Sequence, residues 1–228
     1  MAGRNESRYP LCRGSTWMTD VGPTKDLVLL TADKNCEFTV RGLLSRHASL
    51  GIRVVSADIF VHPERDPGCL LKSDVFLAAF RNSHSHAIVI FDREGCGRER
   101  CNRDELETQV EAALEGRGWN GSQVAAIVLD PELEIWAWSD SPEVDQVLGW
   151  HLANPDLRTW LRAEQFLQSN SVKPSRPKEA LEAALQKVRR ARSSSIFRSL
   201  AETVSVERCN DSAFLKFKST LINWFPAS

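Results

Sequence analysis

Short continuous apolar runs alternate with segments of helical periodicity through the first two thirds of the chain. The runs occupy residues 27–30, 52–60, 87–91 and 124–129, and a run that short without polar alternation reads as a strand buried on both faces. Between them, residues 36–47 place Phe38, Leu43 and Leu44 toward one side. Residues 70–80 repeat apolar positions at three- and four-residue steps, and residues 104–114 carry Leu106, Val110 and Leu114. Gly51, Gly95, Gly97, Gly116 and Gly118 punctuate the boundaries. Strands alternating with helices of this length predict βαβ units, hence an α/β fold with a mainly parallel sheet and helices on both faces.

After Pro131 the strand signal fades into helical pieces at residues 132–138, 142–150, 156–168, 177–192, 194–204 and 212–225. Asp140-Ser141-Pro142-Glu143 reads as a helix start, a cap residue before proline in the first turn. Ser175-Arg176-Pro177-Lys178-Glu179 reads as another. Trp150, Trp160, Phe166, Phe197, Phe214, Phe217, Trp224 and Phe225 are the expected core of this C-terminal helical subdomain. The expected division is a disordered leader over residues 1–22, an α/β domain over 23–150 and helices over 151–228.

The run Ala87-Ile88-Val89-Ile90-Phe91 ends abruptly in Asp92-Arg93-Glu94-Gly95. In open α/β sheets, ligands gather beyond the carboxyl ends of the strands. Residues two apart on an extended segment share a face, so Asp92 and Glu94 are the leading candidates to converge on one cation; the alternative is a solvated acidic turn. Asp33 and Glu37 follow the first strand, where helix-start chemistry explains them equally well. Asp130, Glu132 and Glu134 follow the last strand. Asp130 reads as a helix cap with Pro131 in the first turn, and Glu132 and Glu134, two apart on a helix, diverge, so only one of them is expected at the site. Asp66-Pro67-Gly68 reads as a turn from which Asp66 could reach the same edge. The histidines of His84-x-His86 and the thiols Cys96 and Cys101 flank opposite ends of one strand, which at about 3.3 Å per residue is poor geometry for zinc.

Charge and cysteine usage narrow the partners. Among 228 residues the formal charge is −1, which argues against wholesale electrostatic binding of nucleic acid but leaves room for a local basic face. Arg93, Arg98, Arg100 and Arg103 surround the acidic pair. Lys187, Arg189, Arg190, Arg192 and Arg198 form the most basic stretch, for which a solvated helix face is the favoured reading. Six cysteines lack framework spacing, no apolar run approaches the ~20 residues a bilayer demands, and the first nineteen residues lack the apolar core of a secretory signal. Reduced thiols in a cytoplasm, with no membrane partner, are the expectation. Met18 is an alternative start.

Three segments carry a family resemblance. They are Leu27-Val28-Leu29-Leu30-Thr31-Ala32-Asp33-Lys34-Asn35-Cys36-Glu37-Phe38, then Ile88-Val89-Ile90-Phe91-Asp92-Arg93-Glu94-Gly95, and Leu129-Asp130-Pro131-Glu132-Leu133-Glu134-Ile135-Trp136. Together they resemble the TOPRIM-like α/β fold, and within it the RloB-like small proteins of bacterial anti-phage defence loci. The resemblance spans roughly residues 26–150. It implies carboxylates that hold Mg²⁺ (or Mn²⁺) for phosphoryl transfer or nuclease chemistry on nucleic acid, alongside other defence-system subunits. Asp92 and Glu94 would be metal ligands, Asp33 or Glu37 an auxiliary acid, and Glu132 or Glu134 a further ligand. Two positions depart from the family pattern. Thr31 stands where the family's first glutamate falls, and the pair is Asp-x-Glu rather than Asp-x-Asp. A catalytically degenerate scaffold or sensor subunit is therefore the alternative function.

Overall fold

The computed structural model describes residues 22–139, 141–151 and 153–227; residues 1–21 of the expected leader and Asp140 of the expected helix start lie outside them. Four strands, β1 (Lys25–Thr31), β2 (Ala57–Val61), β3 (His84–Asp92) and β4 (Val124–Leu129), form one sheet in the order β2-β1-β3-β4. All three pairings are parallel. Helices α1 (Lys34–Ser45) and α2 (His47–Leu50) connect β1 to β2, α3 (Arg65–Leu77) connects β2 to β3, and α4 (Arg103–Gly116) connects β3 to β4. The chain moves one way from β1 to β2 and the other way from β2 to β3, so right-handed crossovers place α1 and α3 on opposite faces. The expected α/β architecture is present, with the topological switch between β1 and β3.

Alternation along the strands divides the core. Leu27, Leu29, Ile88, Ile90, Ala125 and Ile127 face one cluster, which takes in Val40 and Leu43 of α1. Val28, Leu30, Val89, Phe91, Ala126 and Val128 face the other, closed by Leu70 and Leu77 of α3 and by Leu106, Val110 and Leu114 of α4. Burial on both sides is what makes the strands read as unbroken apolar runs.

The C-terminal helices are α5 (Glu134–Ala137), α6 (Pro142–Leu148), α7 (Leu157–Ala163), α8 (Pro177–Lys187), α9 (Ser194–Thr203) and α10 (Ser212–Trp224). Their apolar residues, Leu181, Phe197, Leu200, Phe214 and Phe217 among them, join the same cluster as α1 and the first sheet face. The tail thus packs over one face of the sheet. Trp138 and Trp150 are buried and donate to the carbonyls of Pro177 and Pro155. Among the described residues no helix is long and apolar enough to cross a membrane.

Three local expectations are corrected. The strand expected over residues 52–60 is confined to Ala57–Val61: Ile52 is apolar because it is buried and forms an isolated antiparallel bridge with Pro226, while Arg53 donates to the Phe225 carbonyl. Asp66-Pro67-Gly68 lies inside the first turn of α3, where proline lacks no needed donor. Asp130 does not cap a helix: α5 begins only at Glu134 with Leu133 as its cap, and Asp130 pairs with Arg93 at 2.8 Å.

Candidate metal centre

Because all strands run parallel, the segments leaving their carboxyl ends meet on one edge and line a cleft of about 640 Å³. Asp33 enters after β1, His62 and Asp66 after β2, Asp92 and Glu94 at the end of β3, and Glu132 and Glu134 after β4. From the tail come Lys178, in the first turn of α8, and Arg192, just before α9.

Asp92, Glu132 and Glu134 are brought together. One oxygen from each lies within 4.8 Å of the others, a spacing that could hold a metal ion. One oxygen of each is also held by a protein donor. Leu133 N–H donates to Asp92 Oδ1 at 3.0 Å, Lys178 N–H donates to Glu132 Oε1 at 3.0 Å, and Arg192 Nη2 donates to Glu134 Oε1. Holding one oxygen while leaving a second for coordination is how surrounding groups orient carboxylate ligands.

The expectation that Glu132 and Glu134 diverge fails, because Glu132 precedes the helix and the helical angle between them does not apply. Glu94 is corrected in the opposite sense. β3 ends at Asp92, so the two-residue alternation stops there. Glu94 is exposed and lines the cleft, its N–H donating to the Pro131 carbonyl at 3.0 Å, and it stands outside the three-carboxylate group. Asp33 lines the cleft while capping α1, accepting from Cys36 N–H at 2.8 Å. Glu37 is not among the cleft residues; it pairs with Arg41 one turn on, at 2.9 Å. Thr31 is fully buried, its hydroxyl donating to the Phe60 carbonyl at 3.0 Å.

Asp66, read from sequence as a turn residue able to reach this edge, lies at it: its Oδ1 accepts from Asp92 N–H at 2.9 Å. It reaches that position from a helix start in which Arg65 has φ 53, a left-handed conformation that costs a non-glycine residue about 1–2 kcal/mol. Gly68 allows the close approach of His62 to this turn: a Cβ there would lie 2.0 Å from Nδ1. His62 Nδ1 accepts from Glu64 N–H, and burial holds the ring below its ordinary pKa, so it is neutral with its proton on Nε2.

The electrostatics follow from crowding like charges in a sheltered place. Burial, then Asp66 and Glu134, push the Asp92 carboxyl well above the usual range. Burial and Glu134 raise Glu132 to about 7, and burial raises Glu134 and Asp66 as well. Such a set binds a proton readily, and a divalent cation supplies the same relief at higher charge. The neighbouring thiols of Cys36 and Cys69 are driven up by burial and by these carboxylates, which leaves them protonated and poor nucleophiles.

No family model matches the chain, and comparison with curated proteins and with solved structures likewise finds no match.

Proposed function

We propose that the protein is a metal-dependent nuclease or phosphoryl-transfer module acting on nucleic acid, with Asp92, Glu132 and Glu134 as ligands for Mg²⁺ or Mn²⁺. The observation that carries this reading is the convergence of three carboxylates, each with one oxygen already oriented by the protein. Hard oxygen ligands of this kind suit Mg²⁺ and Mn²⁺. When bound, the cation neutralises phosphate charge and polarises the phosphoryl group. Asp66 and Leu133 keep the Asp92 backbone and side chain in place, and Glu94 and Asp33 stand within the cleft as further acids. The resemblance to TOPRIM-like, RloB-like proteins supports a role in bacterial anti-phage defence, in the cytoplasm beside other subunits of the system.

The buried Thr31 hydroxyl, committed to a backbone carbonyl, favours a second reading: a degenerate scaffold that keeps the cleft to bind nucleic acid or a partner protein. Incubating wild type and Asp92→Asn with single- and double-stranded DNA and RNA, with Mg²⁺, Mn²⁺ or EDTA, separates the two. Metal-dependent cleavage that Asp92→Asn loses is expected. Absence of Mn²⁺ binding by calorimetry refutes the enzyme.

A further inference from the structure

Building on that reading, we propose that Lys178 and Arg192 form the phosphate-binding half of the cleft, holding the non-bridging oxygens of a nucleic-acid phosphate beside the carboxylates. The tail is then part of the site as well as a cover over one face of the sheet.

Six carboxylates and four cations line the cleft. At full ionisation two negative charges remain, which one divalent cation balances. An anionic phosphate diester entering that balanced site still needs hydrogen-bond donors of its own, and the two cations nearest the ligand carboxylates supply them. Lys178 is directed there by its own backbone, whose N–H is fixed on Glu132. Its Nζ stays 3.8 Å from Glu132 Oε2 and, among the described residues, makes no hydrogen bond, with the side chain 49% exposed.

Arg192 is held more firmly. Nη2 is on Glu134, Nη1 is 3.0 Å from Glu182, and the guanidinium lies 5.4 Å from the Phe197 ring centre. Guanidinium has five N–H donors; Glu134 and Glu182 take two of them, and the residue lines the cleft. A planar fork with fixed orientation and unused donors is suited to a phosphate.

The test measures two quantities on wild type, Lys178→Gln, Arg192→Gln and Arg192→Lys: Mn²⁺ binding by calorimetry, and binding of fluorescein-labelled single-stranded DNA and RNA 12-mers by anisotropy. The oligonucleotide titrations are run with Ca²⁺ and with EDTA over a range of salt. Lys178→Gln should keep Mn²⁺ binding, because the backbone N–H that holds Glu132 survives, whereas Arg192→Gln should weaken it by releasing Glu134. Both should weaken Ca²⁺-dependent oligonucleotide binding about ten-fold and lower the log–log salt slope by about 0.7 each. Arg192→Lys should restore the slope without restoring full affinity. Oligonucleotide affinity and slope equal to wild type in both glutamine variants overturns the proposal, as does loss of Mn²⁺ binding in Arg192→Gln with the slope unchanged. If wild type binds no Mn²⁺, the metal reading falls by itself. The salt slope in EDTA then decides whether these two residues contact phosphate.

Discussion

Removing the charge of Glu132 tests the electrostatic account of the cleft most directly. Its carboxyl titrates at about 7 in the fold against an ordinary 4.5. The folded state therefore binds this proton more tightly than the unfolded chain does. The resulting stabilisation is fully present below 4.5 and is lost as pH rises through 7. Without screening, the loss between about pH 5.5 and about pH 8 is about 2 kcal/mol. Water in the open cleft reduces it to about 1 kcal/mol. For a chain of this size that lowers the melting temperature by about 2–4 °C. Asp92, Glu134 and Asp66 are shifted the same way and add to the slope. His62 and His86, held neutral by burial, oppose it below their ordinary pKa.

The comparison of wild type with Glu132→Gln isolates one carboxyl from this background. In EDTA, scanning calorimetry should show the metal-free wild type melting lower at about pH 8 than the variant, with the difference shrinking toward about pH 5.5. Added Mn²⁺ at the higher pH should raise the melting temperature of wild type, because a ligand of the native state stabilises by mass action, and should raise that of the variant less. Identical pH dependence of the two proteins in EDTA refutes the reasoning, since Glu132 would then titrate alike in folded and unfolded chains.

Two further outcomes test the scaffold of the site. Gly68→Ala places a methyl 2.0 Å from His62 Nδ1 and should cost about 1–3 kcal/mol by chemical denaturation; because the same turn carries Asp66, calorimetry should also show weaker Mn²⁺ binding. Lys216→Met removes the cation 3.0 Å from buried Glu107 and 2.8 Å from Glu111. These carboxylates accept from Val128 and Ala126 N–H on the open edge of β4, so the loss should be about 3 kcal/mol, partly recovered by adding Glu107→Gln; a neutral result would show that the edge does not depend on this pairing.

The strands were legible because burial on both faces leaves a continuous apolar run, and residues 124–129 match β4 end for end. The same rule overreached at Ile52, where burial arises from a bridge to the C-terminal segment rather than from the sheet. At the site, Asp92 could be read from its place at a strand end. Glu94 could not be placed, since alternation holds only while the strand continues and the chain turns after Asp92. Glu132 was misjudged because helical geometry was assumed to begin at Pro131, whereas α5 starts two residues beyond Glu132.

Arg192 and Lys178 illustrate a different limit. The stretch from Lys187 to Arg198 reads as a solvated basic face, and for several members that holds: Arg198 pairs with Glu202 on its own helix and Arg190 donates to the Val147 carbonyl. Arg192 alone of that run lines the cleft, 58 residues from Glu134, and Lys178 meets Glu132 across 46. Periodicity reports which face of a segment is buried, not which distant segment it meets, so no local pattern separates Arg192 from its neighbours. The acids all lie before residue 150 and these two cations after it. A boundary drawn there from the fading strand signal passes through the site, because α8 and the segment before α9 dock on the cluster that also supports β3 and β4. The charge balance of the cleft is therefore a property of that docking, and belongs to neither part of the chain alone.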